Sequence, residues 1–473
     1  MAGNWTVLNN QPTFKVDTML LLTDGTVLCH ELETPNWHRL KPDANGSYLN
    51  GTWDDGGAPA PLPNNPLIPA AKSGPTNAPL YFVSAVLRDG TVFTAGGEYN
   101  VQSADADILA VQVYDPIGNA WTTIAPPAGW NAIGDAPSCV LADGRVLVGF
   151  INGNTTAIFD PASRTWTAGG AKLDSNSEET FTLLPDGSVL SVQCSNAPGA
   201  ERYVAANNTW VAAGQTLDPL PQPCAGLVAE IGPAILLPDG RVFAIGASGN
   251  TGLYSPVTNS WARGPKLTDA AGATSYPMDA PAALMPNGKV LCVGSPADPC
   301  TYPGPMTFFE YDPVANTVSI APPANNGAGP CYSARLLVLP TGEVLLSTHS
   351  AILEIYAPGG APNAAWKPTI TACPTALVSG ASYVVSGKQF NGLSQACSYG
   401  DDAQMATNYP LVRLQNAAGN VVYQRTSNHS TMAVATGQTV VSTNVAVQAP
   451  VGAWQLFVVA NGIASDPIAV AVA

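Results

Sequence analysis

The chain has 473 residues with 18 Lys and Arg against 33 Asp and Glu, a formal net charge of −15, and only 11% of its residues are charged. An acidic surface this poor in cations excludes a nucleic-acid phosphate backbone as partner; 46% hydrophobic residues exclude a disordered chain; and no apolar run reaches the roughly 18 residues that would span a bilayer. Glycine (45) and proline (43) are abundant, which predicts many short strands joined by turns. The opening residues Met1-Ala2-Gly3-Asn4-Trp5 have no basic segment and no apolar one, so no leader peptide is read there.

Asn4-Trp5-Thr6-Val7 reads as an outer strand without the three that should precede it. One pattern then recurs seven times: apolar residues, a turn, and an alternating apolar strand. The turns are Asp24-Gly25, Asp89-Gly90, Asp143-Gly144, Asp186-Gly187, Asp239-Gly240, Asn287-Gly288 and Thr341-Gly342. Asp-Gly and Asn-Gly between apolar strands supply the positive φ of a tight hairpin. A period of about 50 residues with four strands per unit predicts propeller blades. A second pattern follows: Tyr114 leads to Asn119-Ala120-Trp121, Phe159 to Trp166, Tyr203 to Trp210 and Tyr254 to Trp261. It reads as third strand, turn and fourth strand with a scaffold tryptophan. The orphan first strand is expected to complete the last blade, leaving no open edge. Residues 1–368 are therefore assigned to a seven-bladed propeller. From 369 to 473 the repeat stops and strands such as Tyr383-Val384-Val385 and Val421-Val422-Tyr423 alternate, which predicts an immunoglobulin-like β-sandwich. The fold class is all-β.

Innermost propeller strands begin at one rim of the central channel. Counting nine residues back from each turn glycine gives Val16, Tyr81, Asp135, Glu178, Ile231, Asp279 and Ser333; one residue of slippage adds Asp17, Glu179 and Glu230. Most blades thus place a carboxylate near this rim. Asp135, Glu178 and Asp279 are the candidate acid/base residues, with Tyr332 as proton donor and Arg335 as charge clamp. Asp17, Tyr81, Glu179, Glu230 and Tyr276 are expected to bind substrate. Carboxylates crowded in a confined mouth push one another's pKa apart, which provides an acid and a base together. Paired acids suit glycoside cleavage. A ring of hard oxygens also suits calcium or another divalent cation. A third reading has several of these acids capping loops or pairing with Lys15 and Arg335.

The four histidines, His30, His38, His349 and His429, show no zinc spacing. No nucleophile elbow, P-loop or dinucleotide fingerprint occurs. Of nine cysteines, Cys29, Cys139 and Cys292 sit in inner-strand patterns and read as buried thiols, while Cys194/Cys224, Cys300/Cys331 and Cys373/Cys397 lie in or near loops as candidate pairs. Paired loop cysteines favour an exported protein.

The repeat resembles kelch-type propellers. Gly452-Ala453-Trp454-Gln455-Leu456-Phe457-Val458 and Ser398-Tyr399-Gly400-Asp401-Asp402-Ala403-Gln404 are similar to C-terminal segments of the galactose oxidase and glyoxal oxidase family, and the architectural resemblance covers nearly the whole chain. It implies a Cu(II) site with two histidines, an axial tyrosine and a second tyrosine cross-linked to cysteine. Tyr332 matches the axial position, but Ser333 and Gln404 stand where the histidines belong, and Asp135 where the cross-linked tyrosine belongs. Copper is therefore not expected. Cys331 adjoins Tyr332, but neighbours in a strand point to opposite faces. The expected protein is a secreted or periplasmic monomer of hydrolase or lyase type, taking a carbohydrate or other polyhydroxylated small molecule at the funnel, with no nucleic-acid or membrane partner. The competing expectations are a non-catalytic glycan- or protein-binding module, and an oxidase with a displaced metal site.

Overall fold

The computed structural model describes residues 3–68, 77–100, 108–222, 224, 230–297, 299–400, 402 and 405–473. Seven antiparallel sheets follow one another as the blades of a propeller. Six run in chain order from the innermost strand outward, beginning with Val16–Leu21, Val83–Val86, Ser138–Val140, Thr182–Leu183, Ala234–Leu236 and Ala282–Leu284. The seventh, Ala334–Val338, Val344–Thr348 and Glu354–Ala357, takes its outer strand from the N-terminus: Asn4–Val7 pairs antiparallel with Glu354–Ala357. The expected ring closure is therefore present.

The turn glycines Gly25, Gly90, Gly144, Gly187, Gly240, Gly288 and Gly342 all have φ between 76° and 91°. The Asp or Asn before them is not left-handed. Its side chain instead accepts the amide two residues on, as in Asp24 Oδ1 to Thr26 N at 3.1 Å and Asp239 Oδ1 to Arg241 N at 3.0 Å. This is a type I turn followed by one left-handed glycine, not a two-residue hairpin.

The outer tryptophans act between blades. Trp121 Nε1 donates to Ala60 O at 2.8 Å, Trp166 Nε1 to Ala125 O at 2.9 Å and Trp261 Nε1 to Ala213 O at 2.9 Å. Trp5 does the same to Pro322 O at 2.9 Å and packs on Phe308 and Tyr356. The tyrosine of the second pattern donates to the turn asparagine: Tyr114, Tyr203 and Tyr254 reach Asn119, Asn208 and Asn259 at 2.8 Å. Those asparagines have φ of 48–52°, a conformation asparagine tolerates. Because blades stack face to face, second strands such as Val92–Ala95 and Val242–Ile245 are buried on both faces, whereas the outer strand Thr317–Ile320 is largely exposed.

The C-terminal region is a curled nine-stranded sheet around its own core, with Val385, Leu414, Trp454 and Leu456 among the buried residues. It does not merely abut the propeller. Its short strand Cys397–Ser398 joins the innermost strand of the sixth blade, so a finger of the C-terminal region occupies the channel. Gly400 permits this approach: a Cβ there would lie 2.8 Å from Ile231 O and 3.1 Å from Asp279 Cα. Arg425 Nη2 to Asp24 Oδ2 at 2.7 Å and Thr426 N to Thr23 O at 3.1 Å fasten the two regions elsewhere.

Candidate functional site

The loops that enter the innermost strands converge on a cavity of about 430 Å³ at the mouth of the channel. Asp135, Glu178, Glu230 and Asp279 reach it from the third to sixth blades, and Tyr81 and Tyr332 from the second and seventh. Glu98, Tyr99, Thr301, Tyr302 and Tyr399 complete the wall. Glu178 and Glu230 pair by a parallel backbone bridge. One carboxylate oxygen from each of Glu178, Glu230 and Asp279 lies within 4.8 Å of the other two.

The wall is held in unusual backbone. Tyr81, Asp279 and Tyr302 have φ of 48°, 44° and 47°. Positive φ is uncommon for such residues and gathers at functional sites, where surrounding structure over-determines it. Tyr302 donates its hydroxyl to Glu230 Oε1. Burial pushes the Glu230 carboxyl above its ordinary range, only partly offset by its hydrogen bonds with Tyr302 and Glu178. The Tyr302 hydroxyl is driven far up, by burial first and then by the Glu230 carboxylate it touches. Tyr99 is raised chiefly by its hydrogen bond to Glu98 and by burial.

Raised carboxyl pKa has a stability consequence. The fold holds the Glu230 proton more tightly than the unfolded chain does. Its contribution is fully favourable below the unfolded value of about 4.3 and is lost as pH rises through the raised folded value. In EDTA-treated protein, E230Q should therefore melt above the parent at pH 8, and the gap should shrink towards pH 4. Thermal melts at several pH values check this; a gap independent of pH would contradict it.

Four residues read as site-lining lie elsewhere. Asp17 is fully buried and is claimed from below the cavity by Arg335 Nη2 at 3.2 Å, His349 Nε2 at 3.1 Å and His30 Nδ1 at 3.5 Å. Arg335 is equally buried. Its guanidinium stacks 3.7 Å from the Tyr399 ring centroid and donates through Nη1 to Tyr332 O at 2.8 Å. It packs behind Tyr332 and Tyr399 and is absent from the cavity lining, so the charge-clamp expectation is corrected. Glu179 turns the opposite way from Glu178, into a buried ion pair with Lys172, and accepts from Ser191 Oγ at 2.6 Å and Cys194 N at 3.1 Å. Tyr276 pairs its backbone with Ser295 and is absent from the cavity wall.

No expected cysteine pair forms among the described residues. Cys224 bonds to Cys300, and Cys194, Cys331, Cys373 and Cys397 are free. Cys331 is a buried thiol at 3.2 Å from Met278 O. The disulfide ties two loops of the cavity wall: Cys300 precedes Thr301 and Tyr302, and Cys224 lies upstream of Glu230. It joins positions 76 residues apart, so a C224S/C300S variant should lose about 2–4 kcal/mol of stability. Urea unfolding against the parent tests this; coincident midpoints would refute it.

No histidine lines the cavity among the described residues. His30 and His349 bind Asp17, His38 pairs with Asp54 at 2.8 Å and His429 with Thr443 at 3.0 Å in the C-terminal region. Asp401, Ala403 and Gln404 lie outside the described residues. The donors on the described wall are carboxylates, phenols and the Thr301 hydroxyl, an oxygen set rich in the carboxylates that suit hard cations.

No protein family's sequence profile matches the chain, and no curated protein sequence matches it. Solved structures do. A fungal alcohol oxidase of the AA5 family, solved with copper, superposes with a TM-score of 0.53 at 14% identity, covering 100% of this chain and 99% of its own. A catalytically inactive variant of virginiamycin B lyase from Staphylococcus aureus, solved with quinupristin, superposes with a TM-score of 0.50 at 10% identity, covering 75% of this chain and 99% of its own. The shared feature is the seven-bladed propeller fold.

Proposed function

We propose that the channel mouth is a catalytic site of hydrolase or lyase type, acting by proton transfer on a carbohydrate or similarly polyhydroxylated small molecule. The observation that carries this reading is the meeting of Glu178, Glu230 and Asp279 within 4.8 Å, beside Asp135 in a partly enclosed cavity. Carboxyl groups this close push one another's pKa apart, which supplies a proton donor and a proton acceptor at one site. Asp135, Glu178 and Asp279 are the acid/base groups. Tyr332 is placed for a second proton or a hydrogen bond to a substrate hydroxyl. The rings of Tyr81, Tyr302 and Tyr332, packed edge to face at 5.7–6.4 Å, offer apolar faces to a sugar ring. Arg335 acts indirectly, by fixing Tyr332 and Tyr399.

That an alcohol oxidase and a lyase share this propeller agrees with a scaffold whose chemistry is set by the residues at the mouth. The Cys224–Cys300 disulfide supports an oxidising, extracytoplasmic setting. No helix among the described residues is long and apolar enough to cross a membrane.

The test is a turnover screen of the full chain on neutral sugars, glycosides and sugar acids, with D135N carried alongside. Turnover by the parent that D135N loses while keeping affinity supports catalysis. Saturable binding with no turnover supports the non-catalytic glycan-binding alternative, for which the tyrosine wall is the favouring observation.

A further inference from the structure

We infer that Glu178, Glu230 and Asp279 form a binding site for one hard divalent cation of the calcium or manganese class. Three observations converge on it. Ligands on opposite sides of a calcium ion, each at about 2.3–2.6 Å, stand about 4.6–5.2 Å apart. The three carboxylate oxygens are all within 4.8 Å of one another, so every pair fits a single ion.

The second observation is independent of that spacing. Glu230 is 7% exposed. Its Oε1 takes the Tyr302 hydroxyl, and its buried Oε2 meets no N–H or O–H donor among the described residues; its other contact is with the Glu178 carboxyl of the same cluster. A buried carboxylate oxygen without a donor is costly, and a cation is the partner that removes that cost. The third is the donor chemistry. Carboxylates from three separate blades, with phenols nearby and no imidazole or thiolate on the described wall, select a hard ion over copper or zinc. Three carboxylates leave coordination positions open towards the 430 Å³ cavity, where water or vicinal substrate hydroxyls can enter.

With the ion bound, Glu178 and Asp279 act as ligands in place of the acid/base role given to them above, and proton transfer falls to Asp135 and Tyr332. The proposal goes beyond the functional reading above and does not depend on turnover.

The experiment is calorimetric titration of the full chain, stripped with EDTA, with calcium chloride at pH 7.5. One ion per chain is expected, with affinity at least about tenfold weaker in E230Q and in D279N. Gln is isosteric with Glu, and Asn tolerates the positive φ of position 279, so both variants keep the backbone. E178Q takes the place of either one that fails to melt cooperatively. E343Q, in an exposed turn, should bind as the parent does. Absence of saturable binding, or parental affinity in the cluster variants, overturns the site. Because no substrate is present, a negative titration alongside turnover that D135N abolishes would remove the ion and leave the functional reading intact.

Discussion

R335M should destabilise the protein by about 3–5 kcal/mol, among the largest losses from any single exchange in the chain. Arg335 and Asp17 are both fully buried and 3.2 Å apart. Removing the guanidinium leaves a carboxylate in the interior with His30 and His349 as its remaining ion-pair partners among the described residues. It also removes the cation beneath the Tyr399 ring and one of two donors to Tyr332 O, the other being the Tyr399 hydroxyl. Urea unfolding measures the loss. A D17N/R335M double variant should lose clearly less than the two single losses added together, because the uncompensated charge is gone. Additive losses would show that the pair does not act as a unit.

The same pair dictates a pH signature. Burial alone would raise the Asp17 carboxyl, but Arg335 and the hydrogen bonds from His30 and His349 outweigh it and hold the group well below the usual carboxylate range. A depressed folded value stabilises above the unfolded value of about 3.9, and this contribution is lost as pH falls through the folded value. The stability gap between parent and R335M should therefore narrow as pH falls, starting where the unpaired Asp17 of the variant takes up its proton and ending at the depressed folded value of the parent. A constant gap would place the cost in lost packing alone.

D135N should lower turnover on the substrate found by the screen by about 10²–10⁴-fold, with binding changed only a few-fold. Asp135 is 4% exposed, lines the cavity and lies outside the three-carboxylate cluster. Amide for carboxyl keeps the shape of the side chain but exchanges one acceptor oxygen for an NH2 donor and removes the titrating proton. A bell-shaped rate profile in the parent should lose one limb in D135N. A rate loss matched by an equal loss of affinity would assign Asp135 to binding.

Much of this was legible in the sequence because the blade repeat supplies a ruler. Each turn glycine marks the inner hairpin, and counting back along the strand reaches the rim. That count brought Tyr81, Asp135, Glu178, Glu230 and Asp279 to one cavity. It failed where a single residue decides the face. Glu178 and Glu179 are neighbours around a tight turn closed by Glu179 N to Ser177 O at 2.8 Å and point different ways, one to the cavity and one to Lys172. Asp17 sits at the right height, but a buried arginine from the neighbouring seventh blade claims it. Glu98, Tyr99 and Tyr302 were missed because they arrive on connections outside the inner-strand column. The length of those connections in the second and sixth blades, with Cys300 beside Tyr302, was the available signal. The Cys224–Cys300 bond joins loops that only the ring brings together, so pairing by nearness in sequence could not find it.

The N-terminal strand has a consequence for biosynthesis. Asn4–Val7 finds its partner at Glu354–Ala357, so during translation it must wait, with its hydrogen-bonding edge unmet, until all seven blades have emerged. The segment that plugs the hub, Cys397–Ser398, emerges later still. Until then the nascent wheel has neither rim clasp nor axle, and its unpaired margins invite association with other chains.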